Sequence, residues 1–281
     1  MKDAVARRKA TIRERCMHTG LLCFGIYAIA CAGCATFQRR LLYFPPVFTP
    51  EQVDEMGKFE RMERWLGPQG TQLGWKRLAP TQPAQGRVML THGNAGCAFQ
   101  CGRYANMLQQ VAPLDLFVVE YPGYADRAGK PSERAIYDAA AEAFEQLPTN
   151  GPTYLLGESL GTGVAAYLAG RFPDKVAGII MLAPFNRLAA VAQAHYPWLP
   201  VRLLLVERFP AEAHLRNYHG PVAMLVGGQD RVIPQKFGRR LYDGYSGPKR
   251  LWEFPHADHG AVMDQPVEVW NELIAFFEKP Q

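Results

Sequence analysis

The sequence predicts an α/β fold: a mostly parallel sheet with helices on both faces and a small cap. Three observations carry this. Short apolar runs alternate with longer amphipathic stretches, most of the runs close on Gly or Pro, and the chemically capable residues come just after the runs. Strands buried on both faces read as continuous apolar runs. Strand–helix alternation then leaves ligands at the carboxyl ends of the strands. A chain of 281 residues, 48% hydrophobic and 20% charged, suits one large globular domain. That composition excludes a disordered chain, a collagen and a multi-span membrane protein.

Residues 1–33 read as a signal peptide or membrane anchor. Six bases between Lys2 and Arg15 precede an apolar stretch over 21–30, and small residues follow at Cys31-Ala32-Gly33-Cys34. This is the order of a secretory signal. The last four residues resemble the bacterial lipoprotein signal, which implies lipidation at Cys34 and a body facing the periplasm or cell exterior. Cys31 departs from the Leu usual there. The alternative is a single uncleaved transmembrane anchor, because 17–37 holds no Lys, Arg, Asp or Glu and about 20 residues span a bilayer. Either way the chain is tethered, with its basic end on the cytoplasmic side. Of the net charge of +5, the leader carries +4 and the remainder only +1. Nothing in the body calls for a nucleic-acid partner.

Residues 34–70 are expected as an N-terminal extension, and 71–281 as the main domain. Strands are predicted at 87–91, 116–121, 153–157, 176–182, 221–226 and 251–254. Helices are predicted over 132–147 with Ser132 as N-cap, over 161–171, and over 267–278, where Trp270, Leu273, Ile274 and Phe277 recur at helical spacing. The stretch 185–216 is richer in Leu, Pro and aromatics than a crossover needs; it reads equally as a small cap or as an ordinary crossover helix. Cys16, Cys23, Cys31 and Cys34 belong to the leader region. Cys97 and Cys101, four apart on one face of a predicted helix, read as small buried residues, since neither Cys-x-x-Cys spacing nor a nearby His marks a metal site.

The strongest motif is Gly157-Glu158-Ser159-Leu160-Gly161, which follows an apolar strand and opens a helix. That context makes a nucleophile elbow, where glycines permit a sharp turn and Ser159 is pushed out at the top of the sheet. A serine hydroxyl needs a base and an orienting acid. In the order nucleophile, acid, base, Asp230 stands past the run 221–226 and His259 past the run 251–254. His256 abuts Pro255 and reads as a loop residue, and Asp258 as a loop cap. The segment His92-Gly93-Asn94-Ala95-Gly96 follows an early strand, so the oxyanion donors are expected to be the amides of Asn94 and Leu160. His92 is expected to brace that loop from below.

These motifs, with Tyr121-Pro122-Gly123-Tyr124, Gly129-Lys130-Pro131-Ser132-Glu133 and Gly227-Gly228-Gln229-Asp230 before Ile233-Pro234, resemble the α/β-hydrolase superfamily of serine hydrolases. The resemblance runs from about residue 40 to 278. It looks closest to the serine aminopeptidase-like or acyl hydrolase branch with a single N-terminal membrane anchor. Ala125-Asp126-Arg127 and His259-Gly260 depart from the family pattern without touching an assigned role. The implied function is a membrane-tethered esterase or thioesterase working through an acyl-serine, on a small-molecule or lipid-like acyl substrate. No metal or organic cofactor is required. A modest cap implies a preference for short to medium acyl chains. A serine peptidase with the same triad and a non-catalytic binding protein on this fold are the alternatives.

Overall fold

The computed structural model describes residues 2–278; the leader residues Lys2 to Arg13 are described by backbone alone. The chain opens with helix α1 (Lys2–Leu42) and helix α2 (Pro50–Phe59). Eight strands follow: β1 (Glu63–Leu66), β2 (Gln72–Arg77), β3 (Gly86–Thr91), β4 (Leu114–Val119), β5 (Thr153–Glu158), β6 (Gly178–Leu182), β7 (Val222–Gly227) and β8 (Lys249–Phe254). They form one sheet in the order β1-β2-β4-β3-β5-β6-β7-β8. The pairs β1/β2 and β2/β4 are antiparallel, and every pair from β4 to β8 is parallel. All six predicted strands are present, within a few residues of their expected limits. The sheet also reaches back into 34–70: that expected extension contributes edge strand β1, and α2 lays Val53 into the core.

Side chains of the parallel strands alternate between two apolar layers, as a period of two requires. Met89, Leu155, Met181 and Met224 face one layer, and Val88, Leu156, Ile180 and Leu225 face the other. Helices α4 (Glu133–Glu145), α5 (Leu160–Arg171) and α9 (Gln235–Gly244) cover the first layer; α3 (Gly102–Val111) and α11 (Val267–Glu278) cover the second. Helix α4 is capped as expected, Ser132 Oγ accepting from Ala135 N at 3.1 Å. Helix α5 is apolar all round and buried on nearly every side, so it takes the place directly beneath the elbow.

The segment 185–216 begins with two short helices, α6 (Leu188–His195) and α7 (Val201–Leu204), the candidate cap, where Tyr196, Trp198 and Leu203 are exposed. The rest returns to the core: Phe209 and Leu215 are buried, and α8 (Ala211–His214) packs on α5. Cys97 and Cys101 are buried as expected, though on a 3₁₀ turn before α3 and not on a regular helix. Burial pushes the Cys97 thiol up to about 12 and raises Cys101 as well.

Candidate active site

Sheet order brings the scattered motifs together. Strands β3 and β5 are neighbours, with Thr91 opposite Gly157. The loop after β3 and the turn after β5 therefore emerge side by side, where the strand order reverses. Strands β7 and β8 pair with Gly227 opposite Phe254, which sets the Asp230 and His259 loops together.

Ser159 sits on the tight turn between β5 and α5 with φ 52° and ψ −115°, a conformation that side chains rarely adopt. Both flanking glycines are obligatory for packing reasons. A Cβ on Gly157 would lie 2.7 Å from Thr162 Cα, and one on Gly161 would lie 1.9 Å from Thr91 O. The strained turn aims the hydroxyl at His259, whose Nε2 lies 3.1 Å from Ser159 Oγ. Its Nδ1 lies 2.7 Å from Asp230 Oδ2. Asp230 is buried, and its other oxygen accepts from Val232 N at 2.8 Å and Ile233 N at 2.7 Å. The carboxylate is thus locked by its own loop and offers one oxygen to the imidazole. Short helix α10 (His259–Met263) carries the His at its first position, and Asp258 caps it, accepting from Ala261 N at 2.9 Å. His256 is solvent-exposed.

The amides of Asn94 and Leu160, the expected oxyanion donors, donate no hydrogen bond among the described residues. For Leu160 this follows from its place in the first turn of α5. The Asn94 side chain is held from three sides: Nδ2 donates to Leu42 O at 2.6 Å, while Oδ1 accepts from Tyr124 OH at 2.8 Å and Phe44 N at 3.4 Å. Beneath this loop His92 is buried, with Nδ1 2.8 Å from Gly93 O and Nε2 3.1 Å from Glu120 Oε1. Holding the Gly93 carbonyl downward turns the N–H of the same peptide, that of Asn94, the opposite way. Glu120 also accepts from Ala98 N at 3.0 Å, and Tyr121 OH donates to His92 O at 2.9 Å.

Sequence reasoning missed Glu120 and the contacts of Tyr124 and of residues 42–44 with Asn94. Glu120 did carry a signal, a lone carboxylate at the end of an otherwise apolar run. Asp126, one of the family departures, lies apart: it accepts from Arg64 at 2.7 Å and Gln72 at 3.0 Å and ties β1 and β2 to the loop after β4. Among the described residues no cluster of His, Cys, Asp or Glu is arranged to hold a metal ion.

The alpha/beta hydrolase fold family matches residues 86–216 of the chain. An uncharacterized protein of Mycobacterium tuberculosis is 33% identical over 247 residues, covering 83% of this chain and 86% of that one. Lysophosphatidylserine lipase ABHD12 of Danio rerio is 28% identical over 211 residues, 66% of this chain. This chain spans 54% of that relative's length. In fold, it resembles Est1E of Butyrivibrio proteoclasticus bound to ferulic acid, with a TM-score of 0.60 and 17% identity over 76% of this chain and 97% of that one. It also resembles a monoacylglycerol lipase of Paleococcus ferrophilus, with a TM-score of 0.53 and 19% identity over 77% and 98%.

Proposed function

The chain belongs to the alpha/beta hydrolase superfamily, and from that premise we propose that it is a membrane-tethered serine hydrolase cleaving carboxylic esters or thioesters of lipid-like acyl substrates. The observation that carries the reading is the hydrogen-bonded chain Ser159–His259–Asp230, with the free amides of Asn94 and Leu160 beside it. His259 Nε2 takes the hydroxyl proton as Ser159 Oγ attacks the acyl carbon. The tetrahedral oxyanion accepts from Asn94 N–H and Leu160 N–H. Collapse passes the proton from His259 to the leaving oxygen or sulfur and leaves an acyl-Ser159. Water, deprotonated by His259, then releases the acid. Asp230 holds His259 in the tautomer that presents a bare Nε2 and stabilises the imidazolium that forms. This chemistry needs neither metal nor organic cofactor.

For the tether, lipidation at Cys34 is the first reading and a single uncleaved anchor the second. The stretch Glu14–Leu42 of helix α1 is long and apolar enough to cross a membrane, a property that a signal sequence shares. Intact mass of the membrane-extracted protein separates the two, since lipidation at Cys34 removes residues 1–33.

The relatives' names point the substrate class toward single-chain lipids. The test is a panel of monoacylglycerol, lysophospholipid, acyl thioester and aminoacyl amide substrates, alongside fluorophosphonate labelling of Ser159. Hydrolysis of the acyl lipids with labelling at Ser159 is expected. Activity confined to the aminoacyl amides would assign a peptidase, and no labelling would leave a binding protein.

A further inference from the structure

The last turns of α1 do not stand free of the domain. Between them and the cap lies a cavity of about 430 Å³, walled by Cys34, Leu41 and Leu42 on one side and by Tyr196, Leu199 and Leu205 on the other. Its volume falls in the range of small-molecule sites. Arg40 at its edge is the only charged residue among those that line it.

Both ends of this cavity lead somewhere definite. Leu42 and Phe44 line it and are the residues whose backbone holds the Asn94 side chain. Ala192 and Tyr196 also line it, and between them His195 Nε2 lies 3.0 Å from Val232 O, two residues past Asp230. The cavity thus lies against segments that touch the loop of the oxyanion donor on one side and the loop of the acid on the other. Its other end lies at membrane depth. Cys34 is inside the uncharged stretch 17–37, and the eight residues from Cys34 to Leu42 run about 12 Å along the helix. Exposed Tyr196 and Trp198 are the side chains favoured at the edge of a bilayer.

The two walls are bolted together. Arg39 Nε and Tyr43 OH both donate to Glu207, at 2.7 and 2.6 Å, and Gln38 donates to Leu204 O at 3.2 Å and accepts from Val206 N at 2.7 Å. Glu207 is buried and also accepts from Glu133 N at the start of α4. The anchor helix is therefore held in fixed register against the cap.

We propose that this cavity is the acyl-chain site of the enzyme, that α1 forms one of its walls, and that a single-chain lipid enters it sideways from the bilayer with its acyl carbon arriving at Ser159. This rests on the serine hydrolase reading above. The short-to-medium chain expectation counted the cap alone; a second wall from α1 extends the apolar surface toward the membrane, and each buried methylene adds to binding.

The test uses the full chain in phospholipid vesicles and a dodecyl fluorophosphonate carrying a diazirine at the far end of its alkyl chain. Ser159 displaces fluoride, His259 takes the proton, and irradiation then marks what the tail touches. Cross-links within residues 34–44 and 192–205 are expected. Labelling of Ser159 with cross-links confined to other peptides, such as the loops 228–232 and 258–260, would overturn the cavity assignment and leave the hydrolase reading standing. Absence of Ser159 labelling would overturn both. Leu205→Trp, which fills the cavity, is expected to lower the ratio of kcat/KM for a dodecanoate over an acetate p-nitrophenyl ester by at least ~10-fold. An unchanged ratio would count against the site.

Discussion

Replacing Asp230 with Asn should remove about four orders of magnitude of turnover and leave the fold untouched. The geometry explains why so small a change does so much. One carboxylate oxygen accepts from Val232 N and Ile233 N, the other from His259 Nδ1. An Asn side chain has one oxygen to serve both places. Turning its NH₂ toward Val232 and Ile233 would set a donor against the buried Ile233 N–H, at a cost of roughly 1–3 kcal/mol, and against the more exposed Val232 N–H. The oxygen therefore stays with the backbone, and the NH₂ faces His259. Nδ1 must then accept, so the imidazole proton moves to Nε2, which lies against Ser159 Oγ. A protonated Nε2 cannot take the serine proton. Recovering the working tautomer requires turning the amide against its loop or breaking its bond to the ring. The expected loss in kcat is ~10⁴, the size seen when a triad carboxylate becomes an amide, or about 5 kcal/mol. Initial rates on p-nitrophenyl butyrate give the number, and a thermal melt checks the fold. Turnover within tenfold of the parent, in a protein that melts like the parent, would refute the tautomer argument.

Ser159→Ala and His259→Ala should each lower ester turnover by at least ~10³-fold, because these groups act as a unit; His256→Ala should stay within about twofold, and a reversed ranking of the two His variants would move the base. Glu120→Gln should weaken the brace on His92 and lower kcat by roughly 10–100-fold with little change in KM, and a fall confined to KM would show that the brace serves binding instead. Gly161→Ala would push a Cβ to 1.9 Å from Thr91 O, so the elbow must shift; a melting temperature like the parent's would contradict that. The alkaline limb of stability should reflect the buried thiols. Burial pushes the Cys97 thiol of the folded chain up to about 12, against an ordinary 9.0. Above the unfolded value the unfolded chain releases a proton that the folded chain keeps, so stability is constant at lower pH and falls by at most about 1.4 kcal/mol per pH unit per thiol as pH rises toward 12. Cys97→Ala should flatten that slope in pH-dependent denaturant melts.

The six parallel strands and the elbow were legible because their signals are local. A strand covered on both faces must be apolar throughout, and a turn of five residues must carry its own glycines. Candidates for nucleophile, acid and base were legible for a related reason, since each follows a strand and strand ends share one edge of the sheet. Strands β1 and β2 were not legible. Glu63-Arg64-Trp65-Leu66, the sheet edge, and its neighbour Gln72-Leu73-Gly74-Trp75-Lys76-Arg77 mix charge with apolar residues, and nothing within them says which partner they meet. Gly74 fits only because its backbone lies against Val118 O, where a Cβ would come within 1.9 Å.

The amino-acid sequence by itself determined the fold class and singled out Ser159, Asp230, His259 and the apolar leader as candidates, because each signal lies within a short window of the chain. Tertiary structure decided what those residues touch. His259 and Ser159 are 100 residues apart and meet at 3.1 Å through sheet register. Glu120 is paired with His92 across 28 residues, and Asn94 is held by Leu42 across 52. Residues 1–33 read as a tether; in the folded chain helix α1 continues beyond them, is bonded through Arg39 to Glu207, 168 residues further on, and lines a cavity near the candidate site. Such contacts are absent from local sequence for a physical reason. A hydrogen bond between distant segments depends on where the sheet and its layers carry both partners, and no window of the chain contains both.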